Sequence, residues 1–145
     1  MKANHALFAF VLALGVAGPV WAQSCASGTR LNQTQLTNTF PGNTLCAQRG
    51  TDKWQEQHRE LGQLWDYKLG SSTVDPTKHV GSWAITGTGS DALLTHTYGA
   101  TPYSWQVCRS GGVGGVGTGY TLISTGSAGT ITGAEVKAGE TSCGF

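Results

Sequence analysis

The stretch VGSWAITGTGSDALLTHTYGATPYSWQVC, residues 80–108, contains three short runs rich in β-branched and aromatic residues, parted by glycine and proline. The runs are Val80–Thr86, Leu93–Tyr98 and Tyr103–Cys108, with Gly87-Thr88-Gly89 and Gly99–Pro102 between them. Segments of this length closed off by turn formers read as β-strands. Successive side chains of a strand point to opposite faces. Trp83 therefore falls with Ile85, Leu94 with Tyr98, and Tyr103 with Trp105 and Val107.

The same texture continues in both directions. Thr44–Gln48, Lys53–Arg59 and Gln63–Leu69 precede the stretch, and Tyr120–Ser124 and Thr130–Lys137 follow it. Arg49-Gly50, Leu61-Gly62 and Asp75-Pro76 mark further turns. Many short strands joined by tight turns predict an all-β fold, a single small antiparallel β-barrel or sandwich of about eight strands. One short helix is expected near Leu31–Thr39, stopped by Pro41-Gly42. Trp65, Tyr67 and Leu69 share a face in the same way. Trp65, Trp83 and Trp105 are thus predicted to form one inner cluster with Tyr67, Tyr98 and Tyr103, and Trp54 to sit at its rim.

The chain opens as an export signal does. Lys2 is followed by the apolar run Ala6–Ala17, too short to cross a bilayer, then by Gly18-Pro19 and by Val20-Trp21-Ala22. Cleavage is predicted after Ala22, which leaves residues 23–145 as one domain, secreted or periplasmic. Ala22-Gln23-Ser24 is a poor lipoprotein box before Cys25, and no later segment is long and apolar enough to span a membrane as a helix.

Cys25, Cys46, Cys108 and Cys143 all follow the signal. An even count in an exported chain predicts two disulfides, and the spacings suit no metal site. Parity puts Cys46 and Cys108 on outer faces, where bridges would join neighbouring strands or fasten the leader and tail across the outside. Three pairings are open; Cys46–Cys108 with Cys25–Cys143 is favoured, because the second bridge would tie both ends of the domain.

Without Lys2 the chain carries eight basic and eight acidic side chains. That balance argues against nucleic acid or an anionic membrane as partner. Ten of those sixteen charges lie between Arg49 and Lys78, so this region reads as the most solvated part.

Gly42–Cys46 (GNTLC), Trp54–His58 (WQEQH), Leu64–Gly70 (LWDYKLG), Val74–Thr77 (VDPT) and Val80–Trp83 (VGSW), followed by Tyr103–Cys108, occur in an order that resembles a group of small exported bacterial proteins of unknown function. The resemblance covers about half of the mature chain. It implies a compact β domain of bacterial periplasmic or extracellular origin and carries over no functional residue.

Trp54, Glu56 and His58 alternate on one strand, so one face carries an indole, a carboxylate and an imidazole. Facing inward, they would give a barrel a polar floor beside an aromatic wall, as ligand-binding barrels have. At a sheet edge they would only be solvated. With Trp65, Asp66 and Tyr67 they are the candidate ligand-binding residues. Glu56 and His58 could also do acid–base work with Asp66 as orienter, but no nucleophile motif accompanies them. An enzyme is therefore not the leading expectation. His96 shares a face with Leu94 and Tyr98, where a hydrogen-bonded core histidine is commoner than a ligand.

Gly112–Gly117 matches G-x-G-x-x-G, but the following Thr118–Ile123 reads as a strand where a dinucleotide site needs a helix. No cofactor is expected. Asn32-Gln33-Thr34 fits a glycosylation sequon, idle in a bacterium.

The leading expectation is a secreted or periplasmic binding module for a small apolar or sugar-like ligand, or for another exported protein. A self-associating subunit of an extracellular fibre, matrix or sheath is the second, and an enzyme or enzyme inhibitor the third.

Overall fold

A computed structural model describes Cys25, Ala26, residues 28–67 and residues 77–145. The predicted signal peptide and its cleavage site, the Asp75-Pro76 turn and Leu69 lie outside the described residues, as does the Tyr67 side chain.

Nine strands and one α-helix make up the described chain. They are β1 (Thr29–Arg30), α1 (Gln33–Thr37), β2 (Thr44–Arg49), β3 (Asp52–His58), β4 (Gln63–Tyr67), β5 (Thr77–Thr86), β6 (Leu93–Tyr98), β7 (Thr101–Arg109), β8 (Gly117–Ser124) and β9 (Thr130–Lys137). Strands β2 to β9 each pair antiparallel with the next, and β9 pairs back onto β2, closing an eight-stranded barrel. Every one of the eight expected strands is present. The two-residue β1, which the sequence did not announce, lies outside the barrel on β7, pairing with Cys108 and Arg109.

The two ends of the barrel differ. At one end α1 acts as a plug: Leu31, Leu36 and Phe40 are fully buried and meet Leu94, Val107, Tyr120 and Val136 in the apolar core. A helix of five residues has no stability of its own. Its start is fixed by Asn32, whose side chain accepts from the Gln35 amide while the Gln35 side chain accepts from the Asn32 amide, a complete capping box. Asn32 thus has a structural use apart from its sequon.

The Gly112–Gly117 run packs against this plug. Its carbonyls, rather than its amides, face the nearest charge: Arg109 donates to the oxygens of Val113 (2.6 Å), Gly115 and Val116. A phosphate cradle needs the reverse polarity. Glycine is required here by contact, since a Cβ on Gly114 would lie 2.5 Å from Thr39 Oγ1 and 2.8 Å from the Gln35 carbonyl. Gly81 is excluded from growth in the same way, because its Cβ would come within 2.0 Å of the Thr97 carbonyl across the β5–β6 ladder.

Both disulfides form, but not in the favoured pairing. Cys25 bonds Cys108 and Cys46 bonds Cys143. The outward facing of Cys46 and Cys108 holds, and each bridge fastens one end of the domain to the wall of the barrel. The leader reaches β7 because β1 adds to that strand. The tail reaches β2 because β9 ends beside it, and Thr44 Oγ1 donates to the Gly139 carbonyl.

Trp65 is a second correction. The register pairs His58 with Leu64, Glu56 with Asp66 and Gln57 with Trp65. Leu64 is therefore fully buried, and Trp65 lies half-buried on the outer wall. There the Arg59 guanidinium sits 4.1 Å from the Trp65 ring centroid, His79 packs beside it, and its indole N–H donates to Gln63. The register is fixed by the β3–β4 turn, where Leu61 takes a left-handed conformation at φ 58° before Gly62. A slip of one residue there moves every side chain of β4 to the other face.

Candidate functional site

The end of the barrel away from α1 is not filled. It holds a cavity of about 390 Å³ whose wall includes Leu45, Ala47, Trp54, Glu56, His96, Tyr98, Tyr103, Trp105, Leu122 and Ile131, with Arg49, Thr101 and Ala128 toward the mouth. Strand alternation delivers these residues. Leu45, Ala47 and Arg49 alternate along β2, Trp54 and Glu56 along β3, His96 and Tyr98 along β6, and Tyr103 and Trp105 along β7. The rim is made by the β2–β3 and β6–β7 turns and the β8–β9 connection. Arg49 lies 5.9 Å from the Trp54 ring centroid and donates to the Ala128 carbonyl.

Of the six candidates from sequence, Trp54 and Glu56 line the cavity and His58 lies beneath it. Asp66 pairs in register with Glu56. Trp65 is on the opposite face and plays no part in the cavity. The inward alternative for the Trp54, Glu56 and His58 face is the one adopted: Glu56 is 4% exposed and His58 1%.

What sequence reasoning did not connect is the set of partners from β6. Tyr98 donates its hydroxyl hydrogen to Glu56 Oε1, and His96 Nδ1 lies 2.9 Å from Glu56 Oε2. His96 Nε2 in turn lies 2.9 Å from His58 Nε2. The signal was present, since His96 shares a face with Leu94 and Tyr98. Which face meets which across a barrel depends on closure, however, and β3 and β6 are not neighbours in the sheet.

His58 is enclosed by Phe40 at 5.1 Å and by Trp83 at 5.2 Å between ring centroids. Burial first, and then the neighbouring His96, hold its imidazole well below its ordinary range. His58 is therefore neutral in the folded protein at neutral pH. On the closed-end side, burial pushes the Tyr120 phenol up from its usual value.

The lowered His58 value has a signed consequence for stability. An unfolded histidine titrates near about 6.5. Below that pH the unfolded chain takes up a proton that the folded one refuses, so acid favours unfolding. Stability is expected to be level for this group above about pH 7 and to fall on acidification, by up to about 1.4 kcal/mol per pH unit until the folded His58 itself titrates. Glu56 and His96, the titratable groups facing it, remain in His58→Gln, so the difference in slope between wild type and this variant isolates His58. Urea unfolding at pH 7.5, 6.5 and 5.5 measures it; equal slopes in the two proteins would contradict the assignment.

Among the described residues no group of three His, Cys, Asp or Glu side chains is arranged to hold a metal ion, and no helix is long and apolar enough to cross a membrane. Compared with known protein families, with curated proteins and with solved structures, the chain shows no match.

Proposed function

We propose that this is an exported binding module that takes one small, largely apolar ligand into the open end of its barrel. The observation that carries the reading is the contrast between the two ends. A barrel of eight strands has just enough interior to be packed solid or to hold one small molecule. Here one end is packed around α1, and the other is left as a cavity walled by Trp54, Tyr98, Tyr103 and Trp105. Unfilled apolar space costs stability, so a barrel shaped only for stability would fill both ends. The two disulfides suit an oxidising compartment outside the cytosol, which agrees with the export signal read at the start of the chain.

Two other readings have less geometry behind them. Assembly through a sheet edge finds little edge among the described residues, where each of the eight barrel strands is paired on both sides and the two-residue β1 is paired on one. For acid–base catalysis, both ring nitrogens of His96 are engaged, one by Glu56 and one by His58, so neither is free to take a proton from a nucleophile.

Titration with N-phenyl-1-naphthylamine, a neutral aromatic probe whose emission rises in apolar surroundings, tests the reading. Saturable binding of one probe per protein is expected. Ala47→Phe, which fills the cavity from a wall residue, should weaken it by about tenfold or more. No saturable binding, or binding that Ala47→Phe leaves unchanged, would refute the cavity as the site.

A further inference from the structure

Resting on the binding function proposed above, we infer that the cavity takes its ligand donor-first, with a neutral hydroxyl or N–H group, carried on a flat ring, set against the oxygens of Glu56 and Tyr98. Hydrogen-bond direction along the buried chain decides this. The Asn43 carbonyl can only accept, so His58 Nδ1, which faces it at 3.4 Å, carries a hydrogen. The buried His58 is neutral, so its Nε2 is a bare acceptor, and His96 Nε2 at 2.9 Å must be the donor. Between His96 Nδ1 and Glu56 Oε2, 2.9 Å apart, two lone pairs would repel. One further hydrogen lies there, on whichever atom holds it. The Glu56–His96 unit as a whole is then uncharged.

Tyr98 spends its hydrogen on Glu56 Oε1. The oxygens of Glu56 and Tyr98 are left as acceptors with no hydrogen of their own to give, on a Glu56–His96 unit that carries no net charge. A ligand carboxylate or carbonyl would meet oxygen with oxygen. A ligand cation would have to expel the proton shared by Glu56 and His96, and it would also pass Arg49, which lines the cavity. A neutral hydroxyl or N–H meets neither cost. Trp54, Tyr103 and Trp105 along the wall favour an aromatic body behind that group.

Four probes sharing one ring system separate the cases: naphthalene, 2-naphthol, 2-naphthoate and 2-naphthylmethylammonium. Dissociation constants come from amide shifts in 15N-labelled, disulfide-intact protein at pH 7.5, which also locate the site. The expected result is that 2-naphthol binds about tenfold or more tightly than naphthalene, the cost of leaving buried acceptors unmatched, with both ions weaker than 2-naphthol. In Glu56→Gln, and independently in Tyr98→Phe should the first fail to fold, the advantage of 2-naphthol over naphthalene should shrink while naphthalene still binds. Equal binding of naphthalene and 2-naphthol would overturn the donor rule and leave the cavity as an apolar site. Tightest binding of the ammonium, or of the carboxylate, would overturn it in favour of a charged ligand. Failure of all four to shift cavity resonances would take down the binding function itself, and this inference with it.

Discussion

Phe40→Ala is expected to destabilise the protein by about 3–5 kcal/mol, the usual cost of emptying a fully buried aromatic site. Phe40 is 0% exposed, and its ring centroid lies 5.1 Å from that of His58 and 6.4 Å from that of Tyr120. It closes the plugged end from below. Its loss strips contacts from α1, which has too few residues to persist unaided, and from the buried imidazole at once. A fall of roughly 10 °C or more in melting temperature should accompany the loss. Leu61→Ala serves as the control. Leu61 is 95% exposed, and its truncation should change stability by no more than about 0.5 kcal/mol. If Phe40→Ala unfolds in urea at the same midpoint as wild type, the plug contributes nothing and the picture of a packed closed end fails.

Opening the disulfides is the other large effect. The bridged cysteines are 83 and 97 residues apart. Chain entropy for loops of this size amounts to roughly 4–5 kcal/mol each, while native bridges removed from small secreted domains typically cost about 2–5 kcal/mol. The two loops are so similar in length that entropy alone predicts nearly equal losses. Local structure separates them. Cys25–Cys108 secures the leader that feeds β1 and α1, whereas the Cys143 end keeps other ties, with its amide donating to Gln55 at 2.6 Å and the Arg59–Glu140 pair nearby at 2.7 Å. Paired serine variants are therefore expected to lose about 2–5 kcal/mol each, with the Cys25/Cys108 pair the less stable. Calorimetry on both, beside fully reduced wild type, gives the comparison; losses under about 1 kcal/mol would show that the bridges tie ends that other contacts already hold.

The strands were legible because each is short, alternates, and is closed off by glycine or proline: Leu93–Tyr98 and Thr130–Lys137 run between the residues expected for them. The Trp54, Glu56 and His58 stripe was legible for the same reason. The facing of β4 was not. Both the Trp65, Tyr67, Leu69 series and the Leu64, Asp66 series contain an apolar residue, and the choice rests on one left-handed leucine in a turn. Arg59 and His79 then give Trp65 a home outside the barrel that no single strand advertises. The cysteine pairing and the Glu56–His96 contact share a different cause. Each joins strands whose adjacency, or whose meeting across the interior, exists only once the sheet closes on itself.

Cys25 is held at Cys108, one residue before the end of β7 that lies farthest from the mouth, and the tail that carries Cys143 leaves β9 beside Thr44 at that same plugged end. A linker, dye or solid support attached beside Cys25 would accordingly grip the barrel by its base and leave the aperture facing outward, whereas the tail climbs the outer wall and sets the Phe145 ring over Lys53, close to the rim. Residues of the β2–β3, β6–β7 and β8–β9 connections could then be exchanged to retune what enters, without disturbing the foundation on which the vessel stands.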